Sequence, residues 1–128
     1  MKLISIIAVT VIVPCVGLLC VSAKSTPNGL YCGDIYGNIV QMEVNSHTHF
    51  VNVTAHILGS KISCPHEPYH YNTTNNHLYL PEDSSDCLNV NLKKHGACPC
   101  PPEIVYQANK NQLLMEHTPI GTIVLKSC

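Results

Sequence analysis

Arginine and tryptophan are absent from this sequence, and phenylalanine occurs once. All seven basic residues are therefore lysines, and the formal net charge is −1. Arginine is the side chain best suited to bidentate contacts with phosphate, and lysines are adjacent only at Lys93–Lys94. A chain without a basic surface is poorly suited to following a phosphate backbone. We therefore expect no nucleic-acid partner.

Catalytic motifs are also lacking. The sequence has no Gly-x-Ser-x-Gly elbow and no Cys-x-x-Cys pair, which are typical of α/β-hydrolases and thiol oxidoreductases. The acidic stretch 82–86 lacks the alternating acids and central glycine of a calcium loop. The eight histidines are scattered, whereas a zinc site needs three or four converging ligands. We expect no enzymatic activity, no cofactor and no metal site.

The first residues have the composition of a targeting segment. Lys2 is followed by an almost unbroken apolar run over residues 3–21, and Val21-Ser22-Ala23 offers small residues for cleavage. This three-part pattern predicts a secretory signal peptide, residues 1–23. The alternative is an uncleaved membrane anchor, since the run approaches the length of a membrane span. After cleavage, residues 24–128 form a single secreted domain, and no stable membrane span follows.

Cysteine is abundant in the predicted mature chain. It contains six cysteines: Cys32, Cys64, Cys87, Cys98, Cys100 and Cys128. An even number in a short secreted chain predicts a framework of three disulfides, with fifteen connectivities left open. Cys98 and Cys100 flank a proline and precede two more. Because this connector is stiff, we expect the two cysteines to bond to different partners.

The segment from Val51 to Ile57 alternates between apolar and polar residues, as a half-buried strand does. Its polar face carries Asn52, which opens the N-glycosylation sequon Asn52-Val53-Thr54. The sequon and the alternation agree on the face that meets solvent. A second sequon begins at Asn72, within a polar loop at residues 72–76. We expect glycans on Asn52 and Asn72.

Similar short segments recur along the chain. About eight strands are predicted at roughly ten-residue spacing, which is typical of an all-β barrel or sandwich. Turns are predicted at Gly37-Asn38 and Gly59-Ser60, and an irregular loop from residue 64 to 71, because prolines disfavour a central strand. One short helix is expected near residues 87–95, capped by Ser85 or Asp86. The fold class is a disulfide-stapled antiparallel meander, all-β apart from that helix.

Function is predicted only as a class. Tyrosine suits binding surfaces, and the densest tyrosine patch makes residues 64–71 a candidate binding loop. Its candidate residues are Glu67, Tyr69, His70 and Tyr71. We expect a secreted, glycosylated, non-catalytic protein that binds an extracellular protein or glycan. The alternatives are a small barrel that carries a lipid or other apolar ligand and, less favoured, a secreted hydrolase. The oligomeric state is left open.

Overall fold

The computed structural model describes residues 26–128, which form nine strands and one helix. The predicted signal segment, residues 1–23, lies outside the described residues. The elements are β1 (Gly29–Ile35), β2 (Asn38–Asn45), β3 (Phe50–Ile57), β4 (Ser60–Pro68), β5 (His70–Asn72), β6 (His77–Tyr79), α1 (Cys87–Lys94), β7 (Glu103–Gln107), β8 (Gln112–Thr118) and β9 (Gly121–Ser127).

The nine strands form one antiparallel sheet in the order β4-β3-β2-β1-β9-β8-β7-β6-β5. Each pair of neighbours is consecutive in the chain except β1 and β9, whose pairing rolls the meander into a nearly closed barrel. We call this pairing the β1–β9 junction. The two outermost strands, β4 and β5, run in the same direction with only Tyr69 between them, and the described chain has no ladder that joins them; we call this side of the barrel the β4–β5 seam. The predicted fold class is confirmed.

Apolar and polar residues alternate along the strands as predicted, so the apolar side chains point into the barrel. On β3, Val51, Val53 and Ala55 are buried, whereas Asn52 and Thr54 are partly exposed. The same two-residue period holds on β2, β7 and β9. The buried apolar faces of these strands meet in one continuous core. Because burial of apolar surface is the main favourable contribution to folding, this core determines the strand register.

The prediction of an irregular loop after Cys64 is wrong, because β4 continues through Pro65 to Pro68. Proline is tolerated here since β4 is an edge strand and pairs only with β3. The register shifts between Val51 and Val53, and His66 adopts a φ of +56°. This bulge accommodates an extra residue and lets the strand run on.

Helix α1 begins and packs as the sequence predicts. The Asp86 side chain accepts a hydrogen bond from the Leu88 N–H at 3.1 Å, which satisfies one of the free donors of the first turn. Leu88 and Leu92, one turn apart, are buried and line a small interior cavity together with residues of β2, β3 and β7. The helix therefore covers the side of the barrel where β5 and β6 are short.

Three disulfides join all six cysteines of the described chain: Cys32–Cys128, Cys64–Cys87 and Cys98–Cys100. The first fastens the β1–β9 junction, and the second ties α1 to β4. The expectation that Cys98 and Cys100 bond to different partners is wrong. The connector bends enough to bring their Cα atoms to 4.7 Å, within the range that a disulfide spans.

Candidate binding surface

Three two-residue turns lie at one end of the barrel, which we call the apolar end. They are Tyr36-Gly37 between β1 and β2, Leu58-Gly59 between β3 and β4, and Pro119-Ile120 between β8 and β9. Tyr36 is 92% exposed and Leu58 is 78% exposed, and Ile120 is also exposed. Large apolar side chains therefore project from neighbouring turns into solvent.

The opposite end, which we call the polar end, is built from polar loops. It carries residues 46–49, 73–76 and 108–111. Left-handed positions in these loops are occupied by His49, Asn76 and Asn111, and asparagine adopts this conformation more easily than other residues with a side chain. The local chemistry of the polar end is what turn preferences predict.

The apolar end breaks those preferences. Tyr36 has a φ of +50° and the following Gly37 +79°, and Leu58 has +51° and Gly59 +80°. Two positive values in a two-residue hairpin define a type I′ turn, for which Asn-Gly is favoured. A tyrosine and a leucine at the first position are strained. Because both side chains are exposed, packing within the chain does not compensate for this strain. Uncompensated strain is typical of a functional position.

Sequence reasoning missed these two residues because it placed each turn one residue late. The expected turns, Gly37-Asn38 and Gly59-Ser60, left Tyr36 and Leu58 at the ends of strands. The structure instead pairs Ile35 with Asn38 and Ile57 with Ser60. The available signal was the glycine itself, which commonly takes the second position of a type I′ turn.

A shallow apolar cavity of about 120 Å³ lies between the exposed turns. Leu58 and Ile120 line its mouth, while Leu92, Ala97 and Met115 lie among its other walls. Helix α1 and the connector behind it thus contribute one side of this surface. The cavity offers a partner an apolar recess bordered by exposed apolar side chains.

The four residues of the candidate binding loop lie in or between strands and point in different directions. Glu67, on β4, is buried, and His70, on β5, is exposed with its ring stacked on Tyr79 at 6.4 Å. Tyr69 donates a hydrogen bond to the Asn45 carbonyl at 3.3 Å, and the Tyr71 hydroxyl donates to Asn76 at 2.9 Å. Glu67 is thus separated by burial from His70 rather than sharing one surface with it.

Glu67 is the unusual member of this group. Its Oε1 atom is buried and has no hydrogen-bond partner among the described residues. Burial, followed by the neighbouring Asp86 carboxyl, raises the pKa of Glu67 to about 7, although the Leu88 N–H opposes the shift in part. The Glu67 carboxyl at the seam therefore changes charge near neutral pH, which no local sequence pattern predicts.

Two other tyrosines belong to the core. Tyr31 and Tyr106 are buried with their rings edge to face at 6.5 Å, and both hydroxyls donate to Asn111 Oδ1. Burial, followed by the proximity of Tyr31, raises the pKa of Tyr106 to about 12. These side chains anchor the polar end from inside, and they offer no surface to a partner.

Both sequons are in the half of the barrel nearer the polar end. Asn72 closes β5, next to the polar loop, and Asn52 pairs with Glu43 across β2 and β3. Asn52 Oδ1 accepts from the His66 N–H at 2.8 Å, and Asn52 Nδ2 donates to Glu43 Oε1 at 3.0 Å. Glycans on these residues would leave the apolar end uncovered.

One group of possible metal ligands lies on β7 and β8. Glu103 and Glu116 are directly opposite each other, and the bulge that follows turns His117 towards them. The ligand atoms of the three residues lie within 4.8 Å of one another, and His117 Nε2 is 3.6 Å from Glu103 Oε2. The histidine is largely exposed, so water competes for these positions, and we assign no metal to them.

Comparison with known proteins gives no relative: no family model, no curated protein and no solved structure matches this chain. Within residues 26–128, no helix combines the length and the apolar character needed to cross a membrane. The fold and the surface define the class of protein, a disulfide-stapled up-and-down β barrel with one apolar end.

Proposed function

We propose that this protein is secreted, is glycosylated on Asn52 and Asn72, and binds another extracellular protein through its apolar end without catalysing a reaction. The observation that supports this most directly is the pair of strained turns. Tyr36 and Leu58 are exposed and occupy positions where asparagine would be more stable. Selection for a binding partner accounts for residues that the fold alone does not favour.

The composition of the apolar end fits a protein partner. Interface centres are enriched in aromatic and large apolar side chains and depleted in charge. Tyr36, Leu58 and Ile120 are of this kind, and Leu58 and Ile120 also line an apolar recess. Glycans at the other half of the barrel would keep the molecule soluble without covering this surface. The three disulfides are compatible with an extracellular environment.

The carrier hypothesis receives less support. Sites for small molecules usually enclose about 300–1,000 Å³, whereas the apolar cavity between the turns holds about 120 Å³. Within the described chain, large side chains such as Tyr31, Met42 and Leu113 fill the barrel interior. A lipid chain would have to displace packed side chains, so we favour binding at the surface.

The test uses a double variant, Tyr36→Asn with Leu58→Asp, in the full-length protein secreted from eukaryotic cells; aspartate is used at position 58 because asparagine before Gly59-Ser60 would create a sequon. Asn-Gly and Asp-Gly both suit a type I′ turn, so the variant should unfold at a higher temperature than the wild type. The same changes remove the exposed apolar groups, so the variant should lose its partner. Immobilised wild-type and variant proteins are incubated with extracellular fluid from the source tissue, and bound proteins are identified by mass spectrometry.

The matched control is Lys110→Ala, at a turn of the polar end, which should retain the partner. If the double variant is more stable than the wild type but does not bind the partner, the loss of binding is not caused by misfolding. If the double variant retains the same proteins as the wild type, the apolar end is not the binding surface. Sedimentation velocity on the same proteins shows whether the partner is a second copy of this chain.

A further inference from the structure

A second concave surface lies on the outside of β2 and β3, near the polar end. It is a groove of about 590 Å³ whose walls include Glu43, His47, Thr48, Phe50, Asn52 and His66. This volume falls in the range that holds small ligands. The groove differs from the apolar end in offering both polar groups and an aromatic ring.

The aromatic ring is that of Phe50, the only phenylalanine in the sequence. Phe50 is 40% exposed and contacts the His66 ring edge to face at 5.9 Å. Alternation along β3 places Phe50 and Asn52 on the same outer face, two residues apart. A large aromatic side chain thus lies in solvent directly beside the asparagine of a sequon.

The Asn52 amide is held in place. Its Nδ2 donates to Glu43 Oε1 at 3.0 Å, and its Oδ1 accepts from the His66 N–H at 2.8 Å. An N-linked sugar replaces one of the two hydrogens on Nδ2. The other hydrogen remains available to Glu43, and Oδ1 remains available to His66. Linkage to a sugar therefore leaves one donor and one acceptor on the amide for these two partners, and the position of the amide fixes where the glycan begins.

We propose that this groove binds the first N-acetylglucosamine residues of the protein's own Asn52-linked glycan, with the sugar packed against Phe50. The inference rests on the glycosylation included in the proposed function. The C–H groups on the apolar face of a pyranose carry partial positive charge and pack on the negative face of an aromatic ring. Glu43, His47 and Thr48 supply polar atoms for the hydroxyl and acetamido groups.

This arrangement gives the two predicted glycans different roles. The glycan on Asn52 covers an exposed aromatic ring and adds contacts that only the folded chain can make, so it stabilises the fold. Asn72 lies next to a hairpin loop, outside the residues that line the groove. A glycan on Asn72 lies outside this groove, so its effect on stability should not depend on Phe50.

The test is a double-mutant cycle on the secreted full-length protein. Thr54→Ala removes the Asn52 sequon without altering Asn52, and it is made in the wild type and in Phe50→Ala. In the wild-type background it should lower Tm by about 4 °C, and in the Phe50→Ala background by less than about 1 °C. Thr74→Ala, which removes the Asn72 sequon, should change Tm by the same amount in both backgrounds. Thr54→Ser, which keeps the sequon, controls for the change at position 54.

Nuclear magnetic resonance provides a test that requires no variant to fold. Because Phe50 is the only phenylalanine, its ring signals are unambiguous once that residue type is labelled. Nuclear Overhauser effects between the ring protons and the protons of the first sugar should be observed in the glycosylated protein. Their absence overturns the proposal, and so does an equal loss of Tm in both backgrounds.

Mass spectrometry of the secreted protein separates this failure from failure of the proposed function. A protein without a glycan on Asn52 overturns both the inference and the glycosylation on which it rests. A glycosylated Asn52 without coupling to Phe50 overturns the inference alone. If free chitobiose shifts the Phe50 signals of the glycosylated wild type, the groove is open to a foreign glycan, which also overturns the proposal.

Discussion

The barrel is closed in two different ways on its two sides. At the β1–β9 junction, main-chain hydrogen bonds, a disulfide and a tight approach at Gly33 join strands that are distant in the sequence. At the β4–β5 seam, helix α1, the Cys64–Cys87 disulfide and side chains such as Glu67 take the place of a ladder. These contacts at the junction do not titrate, whereas the seam includes Glu67, whose pKa is raised to about 7.

The largest effect is expected from removing the disulfide at the junction. Cys32 and Cys128 are separated by 96 residues, and the chain-entropy model gives about 4.7 kcal/mol for a loop of that length. Replacing both with serine should lower the free energy of unfolding by up to this amount, measured by urea denaturation. If this variant loses less free energy of unfolding than the variant without the seam disulfide, the junction disulfide is not the larger contributor to stability.

The seam disulfide is expected to contribute less. Cys64 and Cys87 are separated by 23 residues, for which the same model gives about 3.4 kcal/mol. The double replacement by serine should also release α1 from β4, while the β1–β9 junction remains closed. Hydrogen exchange should then accelerate in α1 before it accelerates in β1 and β9. Uniform acceleration in all three elements would contradict a separate opening of the seam.

Gly33 tests how closely the junction is packed. A Cβ atom at this position would lie 2.5 Å from Leu125 Cδ2 and 2.7 Å from the Val124 carbonyl oxygen. Because the oxygen belongs to the backbone, the strands must separate to admit it, and Gly33→Ala should cost about 3 kcal/mol. The control Lys126→Ala, exposed on β9, should change stability by less than about 0.5 kcal/mol. Equal effects of the two changes would refute close packing at Gly33.

The seam alone is expected to respond to pH through Glu67. Its pKa is raised to about 7 in the folded chain, so between its ordinary value and pH 7 the folded state binds more protons than the unfolded state. The stability contributed by the protonated carboxyl is therefore fully present below about pH 4.5 and is lost as pH rises through 7. The loss should be on the order of 2 kcal/mol.

Glu67→Gln imitates the protonated carboxyl at every pH. The variant should lack this loss and should be more stable than the wild type at pH 8, as measured by urea denaturation at pH 5 and pH 8. Glu82→Gln, at an exposed position in the loop before α1, should keep the wild-type dependence. If the free energy of unfolding changes with pH equally in the wild type and in the Glu67→Gln variant, the seam is not the pH-sensitive side.

Much of the fold was predictable because local patterns agree with the tertiary structure. The alternation from Val51 to Ile57 predicted the buried face of β3. Asp86 predicted the start of α1, and the four-residue spacing of Leu88 and Leu92 predicted its buried side. Each of these signals is contained within a few residues. The physical basis is the side-chain period of strands and helices and the unsatisfied donors at a helix start.

The remaining features depend on contacts between distant segments. Pro65 suits β4 only because β4 has no second neighbour, and strand order is not encoded in the residues around a proline. Burial of Glu67 follows from the docking of α1 over the seam, and the pairing of Cys98 with Cys100 follows from a bend in the connector. The exposed turns at Tyr36 and Leu58 were missed because a one-residue shift moves a side chain from strand to turn.

The link between Cys32 and Cys128 makes the chain between them a covalent ring. Cys128 also donates its N–H to the Leu30 carbonyl at 3.1 Å, so both sides of the link are held together. A protease that cuts one exposed loop of this ring cannot release a fragment; it produces a molecule one water heavier, with new termini at the cut. A single cut in the ring therefore only creates new chain termini. The two pieces of chain separate only after the Cys32–Cys128 disulfide has also been reduced.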